Sequence, residues 1–178
     1  MIFQLIERIR LLLQRDSDLT EVREIKQVDD VEAYDDYIKL FPSIGIQAVE
    51  EVMVYREDTR EVQHVFTPMV IRVYTRHESS PEAARRVLGI LTWKVINALR
   101  KNPQLTFAEF DPEVYLIDSE PNNIIYGSRR KDKAFDEYAT IKFNTRRPEV
   151  EPESDETYYD VIQTMLRVSL TGMGGGTE

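Results

Sequence analysis

Two histidines, His64 and His77, and no cysteine bound the side-chain chemistry open to this 178-residue sequence. Without a thiol there is no disulfide, no thiolate metal site and no cysteine nucleophile. His64 lies within a run of alternating apolar and polar residues and His77 at its end, and neither has a partner at the spacing of a metal site or a catalytic triad. Both read as polar surface residues. The adjacent carboxylates Asp29-Asp30, Asp35-Asp36 and Glu50-Glu51 are poorly placed to cooperate, because neighbouring side chains in extended chain point to opposite faces. Four of the seven glycines fall in the last seven residues, which leaves none for a phosphate-binding loop. No catalytic residue, metal ligand or cofactor is expected.

One dense basic run remains, Gly127-Ser128-Arg129-Arg130-Lys131-Asp132-Lys133, placed as a loop between two strands. It is either a solvated loop or a basic tongue, with Arg129, Arg130, Lys131 and Lys133 meeting an acidic partner surface or passing DNA. The whole chain is acidic, with 32 Asp and Glu against 23 Lys and Arg and a formal charge of −9. Phosphate binding rests on Lys and Arg, so sequence-specific reading of nucleic acid and attachment to an anionic membrane are not expected. No stretch approaches the roughly 18 apolar residues of a membrane span. The opening Met1 to Ile6 runs into Glu7, Arg8 and Arg10 and does not read as a signal peptide, so the chain is expected in the cytoplasm until it assembles.

The elements that position these residues follow from periodicity. Ile2, Leu5, Ile6, Ile9, Leu12 and Leu13 recur at helical spacing, with Gln4, Glu7, Arg8 and Arg10 between them, which predicts a helix over 2–15 with one buried stripe. Residues 19–28 fit either a strand or an extended linker. Val31, Tyr34 and Ile38 suggest a short helix that Phe41-Pro42 ends. Alternation over Ile44 to Tyr55, with a phase fault at Glu50-Glu51 that suggests a bulge, and again over Glu61 to Thr75, predicts a long antiparallel hairpin. Its tip, Glu57-Asp58-Thr59-Arg60, is charged.

Ser79-Ser80-Pro81-Glu82 is a helix start, and Arg100-Lys101-Asn102-Pro103 a helix end, so a second helix is placed over 80–101. Its buried stripe is Ala84, Val87, Leu88, Leu91, Val95, Ala98 and Leu99, and Trp93 is read as core. Leu105 to Phe110, Val114 to Ile117 and Phe135 to Thr145 are expected as strands. The fold class is therefore α+β: a mostly antiparallel sheet with a long hairpin, backed by two main helices. After Arg147-Pro148 the chain turns to Glu149-Val150-Glu151-Pro152-Glu153-Ser154-Asp155-Glu156, an acidic linker with nothing to bury. It leads to an apolar segment, Tyr158 to Leu170, and the two together form a C-terminal arm over 148–178, apart from a domain over 1–147.

The order of helix, Phe41-Pro42-Ser43-Ile44-Gly45-Ile46, long hairpin, Met69 to Tyr74, capped helix at 80–101 and closing strand from Phe135 to Asn144 resembles the tail terminator and tail completion proteins of tailed bacteriophages. The resemblance covers about residues 1–147 and rests on element order and hydrophobic texture. It implies a virion structural protein, not an enzyme, whose copies close into a hexameric ring on the finished tail tube, stop its growth and present the surface that joins the head. Expected partners are other copies of the chain, the tail tube protein, neck or connector proteins and, in a contractile tail, the sheath, with DNA passing through the lumen. The 148–178 arm adds to the smaller family members and leaves open a neighbouring neck protein of the same architecture. A non-virion cytoplasmic module that binds a peptide or small acid through its sheet is the other alternative.

A charged tip on strands that carry apolar residues on both faces makes the hairpin the expected contact with a neighbouring subunit or the tube. Val54, Tyr55, Val62 and Phe66 are the candidate contact residues, with Glu57, Asp58, Thr59 and Arg60 setting register.

Overall fold

The computed structural model describes residues 2–31, 40–55, 62–105, 116–117, 123–131 and 134–148, with backbone alone at positions 2, 55, 62–64, 116, 131 and 148. Helix α1 spans Ile2–Arg15 and α2 spans Pro81–Lys101. Seven strands join in one sheet: β1 (Glu24–Gln27), β2 (Ser43–Ala48), β3 (Val52–Tyr55), β4 (Val62–His77), β5 (Leu116–Ile117), β6 (Asn123–Lys131) and β7 (Ala134–Pro148). The fold is the α+β arrangement expected. All pairings are antiparallel except that of β1 with β2.

Two long strands organise the sheet. β4 and β7 pair from His77↔Phe135 to His64↔Pro148. On the outer side of β4 lie β2 and then β3, while β6 and then β5 flank β7. The fault at Glu50-Glu51 is a bulge: Ala48 opposes Met69 but Val52 opposes Phe66, so four steps along one strand match three along the other. One extra residue exchanges the two faces, because side chains alternate with period two. Ile44 and Ile46 therefore point to the helices, whereas Val52 and Val54 lie on the same face as Phe66, away from them.

Both helices lie against one face, α1 over β1 and β2 and α2 over β4 and β7. Leu5, Ile9 and Leu13 of α1, Leu88, Leu91 and Leu99 of α2, and Ile46, Met69, Ile71, Ile141 and Phe143 of the sheet form one apolar cluster. Burying each of the larger side chains stabilises the fold by about 1.5–3 kcal/mol. Helix α2 starts where its sequence requires: the Ser80 hydroxyl accepts from the Ala83 amide at 3.2 Å, with Pro81 in the first turn. At the other end the Asn102 side chain donates to the Ala98 carbonyl at 2.9 Å.

Three expectations change. The stripe on α1 is buried as expected, but Arg8, placed between the apolar positions, is also fully buried, and its Nη1 donates to the Leu105 carbonyl at 2.8 Å. Burial of this guanidinium is tolerable because it caps a carbonyl that the end of the second helical segment would otherwise bury unpaired. Residues 24–27 form a strand, parallel to β2. The basic run is no loop: Arg129, Arg130 and Lys131 lie in β6, paired to β7 as far as Lys131↔Ala134. The expected short helix over 30–38 and the strand over 105–110 fall largely outside the described residues, as does the 149–178 part of the arm.

Candidate assembly surface

The hairpin leading to the charged tip is built differently from the expected free ribbon. β7 runs beside β4 as far as His64↔Pro148, so the base of the hairpin is three strands wide where Val52↔Phe66, Met53↔Val65 and Val54↔His64 pair. Val65 is buried and Phe66 half-buried, which ties this end of β4 into the domain. The exposed apolar residues belong to β3: Val52 and Val54 on one face and Met53, 49% exposed, on the other. Among the described residues β3 pairs with β4 alone, so its outer edge is a sheet edge.

Of the eight residues singled out here in the sequence, Val54 is exposed and Phe66 half-buried beside it on the same face. Tyr55 and Val62 oppose each other in the backbone after a register shift. Their side chains and the tip residues Glu57, Asp58, Thr59 and Arg60 lie outside the described residues. Val52 and Met53 were missed as contact residues, although the bulge that exposes them on opposite faces was visible at Glu50-Glu51.

The basic run forms a second exposed feature. Arg129 opposes Asp136 and Arg130 opposes Phe135, with the Arg130 guanidinium 5.6 Å from the ring centroid. Asp136 also accepts both Nε and Nη2 of Arg76, at 2.5 and 2.6 Å, and the buried Glu137 accepts Arg85 Nε at 3.1 Å. The positive charge of this hairpin end is thus interleaved with carboxylates. Lys133 lies outside the described residues.

The sheet face away from the helices carries a polar cluster at its centre. Buried Arg72 donates through Nε to Thr140 Oγ1 at 2.8 Å and through Nη1 to the Val31 carbonyl at 3.2 Å, and it stacks 4.7 Å from the Tyr138 ring centroid. The Tyr74 hydroxyl donates to the same carbonyl at 2.5 Å. Val31 is held there from its other side by Gln47, whose amide donates to the Asp29 carbonyl at 2.8 Å. Donors outnumber acceptors around one backbone oxygen, and the arrangement fixes the 29–31 segment across the sheet.

Helix α2 presents a third surface that the sequence reading placed wrongly. Val87 and Trp93 were assigned to the core, yet they are 42% and 57% exposed, with Ile90 at 50% between them. At about 100° per residue, Trp93 lies roughly 200° from both Leu91 and Val95, on the opposite side of the helix. The buried stripe is narrower than its apolar content, and a second apolar stripe faces outward.

Ionisable groups are structural. Lys94 donates to Glu21 and holds its carboxyl below the ordinary range, tying α2 to the turn after α1. Arg10 does the same for Glu7 within α1. His77 Nδ1 accepts the Ser79 and Ser80 amides at 3.3 and 3.0 Å, so this imidazole caps the turn into α2. No group of three or more metal-ligating side chains occurs among the described residues, and no helix there is long and apolar enough to cross a membrane.

No protein-family model matches the chain, and no curated protein sequence matches it. Among solved structures, it is similar to a chain of the virion of a native gene transfer agent particle, at 14% identity and a TM-score of 0.40, over 82% of this chain and 95% of that one. It is also similar to a solved chain that carries no functional title, at 11% identity and a TM-score of 0.44, over 84% of this chain and 93% of that one. Both TM-scores lie below 0.5, so neither likeness carries a function over to this chain.

Proposed function

We propose that the chain is a structural subunit of a phage virion, a tail terminator whose copies close into a ring, hexameric in the family it resembles, on the end of the tail tube. In this reading it performs no chemistry. It stops tube growth and offers the surface that neck or connector proteins join, while DNA slides through the lumen without base-specific contact. Its acidic balance suits that passage, since like charge keeps a duplex off the wall.

The observation that carries the reading is the edge strand β3, which exposes Val52 and Val54 on one face and Met53 on the other. A long apolar edge left open invites pairing with another chain, and folded monomers ordinarily blunt it. A ring covers such an edge on every subunit by placing it against a different surface of the next copy, which is a heterologous contact. Electron micrographs of the purified protein test this. Closed rings with a central channel support it, and a field of single compact particles at high protein concentration contradicts it.

A further inference from the structure

The outward stripe of α2 has an occupant within the same chain. Val87, Ile90 and Trp93 lie in a row between exposed Arg86 at one end and exposed Arg100 and Lys101 at the other, and nothing among the described residues covers them. Trp93 already holds Arg100 5.8 Å from its ring centroid, which marks the basic end of the row.

The described chain ends close to that basic end. The Ile117 amide donates to the Pro103 carbonyl at 2.8 Å, just past the end of α2, and Ile117 pairs with Thr145 of β7, three residues before Pro148. From Pro148 the chain continues for thirty residues, 149–178. The first nine, to Thr157, can span up to about 30 Å. They carry Glu149, Glu151, Glu153, Asp155 and Glu156, opposite in sign to Arg100 and Lys101, past which they must travel.

Beyond them, Tyr158, Val161, Ile162, Met165 and Leu166 fall at i, i+3, i+4, i+7 and i+8, the spacing that gathers side chains on one helical face. The stripe from Arg100 back to Arg86 is about 21 Å long at 1.5 Å per residue, and a thirteen-residue helix over 158–170 measures about 20 Å. A helix that short is marginal alone in water and needs an apolar surface to rest on. We infer that residues 158–170 dock antiparallel on the outward face of α2, with Ile162 and Leu166 against Trp93 and Ile90 and the acidic linker beside Arg100 and Lys101. The domain thereby closes over its own exposed stripe, and β3 is left as the edge offered to other copies.

Trp93 is the single tryptophan of the chain and reports on this contact directly. In the full-length protein, acrylamide quenching of its fluorescence should be weak, and it should rise severalfold with a red-shifted emission in the full-length Ile162→Asp/Leu166→Asp variant. If that variant loses its helical circular dichroism, the milder Ile162→Ala/Leu166→Ala pair should show the same change in smaller measure. Equal, strong quenching in the intact protein and a folded variant overturns the inference. So does protection that appears only as the protein associates, measured against concentration with light scattering on the same samples, because the occupant is then a second copy. The proposed ring stands or falls separately, since neither variant touches β3.

Discussion

The ring of Tyr138 lies across Gly127 of the neighbouring strand, so that a Cβ added at Gly127 would stand 2.3 Å from the ring carbon Cζ. The glycine is half-buried in β6, and the ring above it also stacks on Arg72 and lies 6.4 Å from the Tyr74 ring centroid. One absent side chain thus makes room for the aromatic that links β6 to the central polar cluster.

Gly127→Ala should therefore displace Tyr138 and cost about 1–3 kcal/mol, the usual range for forcing atoms into a filled site. Urea unfolding checks this. Because the cost arises from one contact, Gly127→Ala should cost much less in a Tyr138→Ala background, and additive effects of the two substitutions would contradict the clash.

Arg8→Met should destabilise the fold by about 1–3 kcal/mol, since it fits the apolar space but leaves the Leu105 carbonyl without its 2.8 Å donor. Replacing both members of a buried polar pair can be neutral, whereas removing one leaves the other unpaid in a dry interior. The thermal midpoint is the readout, and a variant as stable as the parent would mean that the carbonyl finds another donor.

Glu21 and Glu7 give the stability of the fold an acid limb. The Lys94 and Arg10 hydrogen bonds lower these carboxyl groups in the folded state, so their contribution is present above the ordinary carboxylate range and lost as the pH falls through the folded value. Both pairs lie at the surface and contribute about 0.5 kcal/mol each. Glu21→Gln should remove part of the loss between neutral pH and about pH 3 in urea titrations, and leave the rest. A variant whose pH profile overlays that of the parent would show that Lys94 contributes nothing.

The helices were legible because their signals are local. Ser80 and Pro81 start α2, Asn102 ends it, and the alternation over Met69 to Tyr74 and the fault at Glu50-Glu51 locate β4 and its bulge. Strand β6 was hidden because Gly127 to Lys131 carries the composition of a loop. It is a strand because β7 supplies its partners, Tyr138 fills the space above Gly127, and Asp136 and Phe135 stand opposite Arg129 and Arg130. Long-range pairing overrides local preference in sheets. The same limit explains Trp93 and Val87: the sequence marks both as apolar, but only the position of the sheet decides which side of α2 is inside. Arg8 was read by its charge, and the Leu105 carbonyl that buries it is almost a hundred residues away in sequence. On the proposed assembly surface, Val54 was legible from alternation, whereas Val52 and Met53 needed the observed open edge of β3 to stand out.

The ring is tested most directly by the solution mass of the full-length protein, measured by multi-angle light scattering beside that of its Met53→Asp/Val54→Asp variant. The parent should elute as a closed species of about six times the 20.9 kDa chain mass, and the variant, with both faces of β3 charged, as a folded species of lower mass. A parent that stays at the mass of one chain across the concentration range, or a variant that assembles as the parent does, would contradict the ring built through β3.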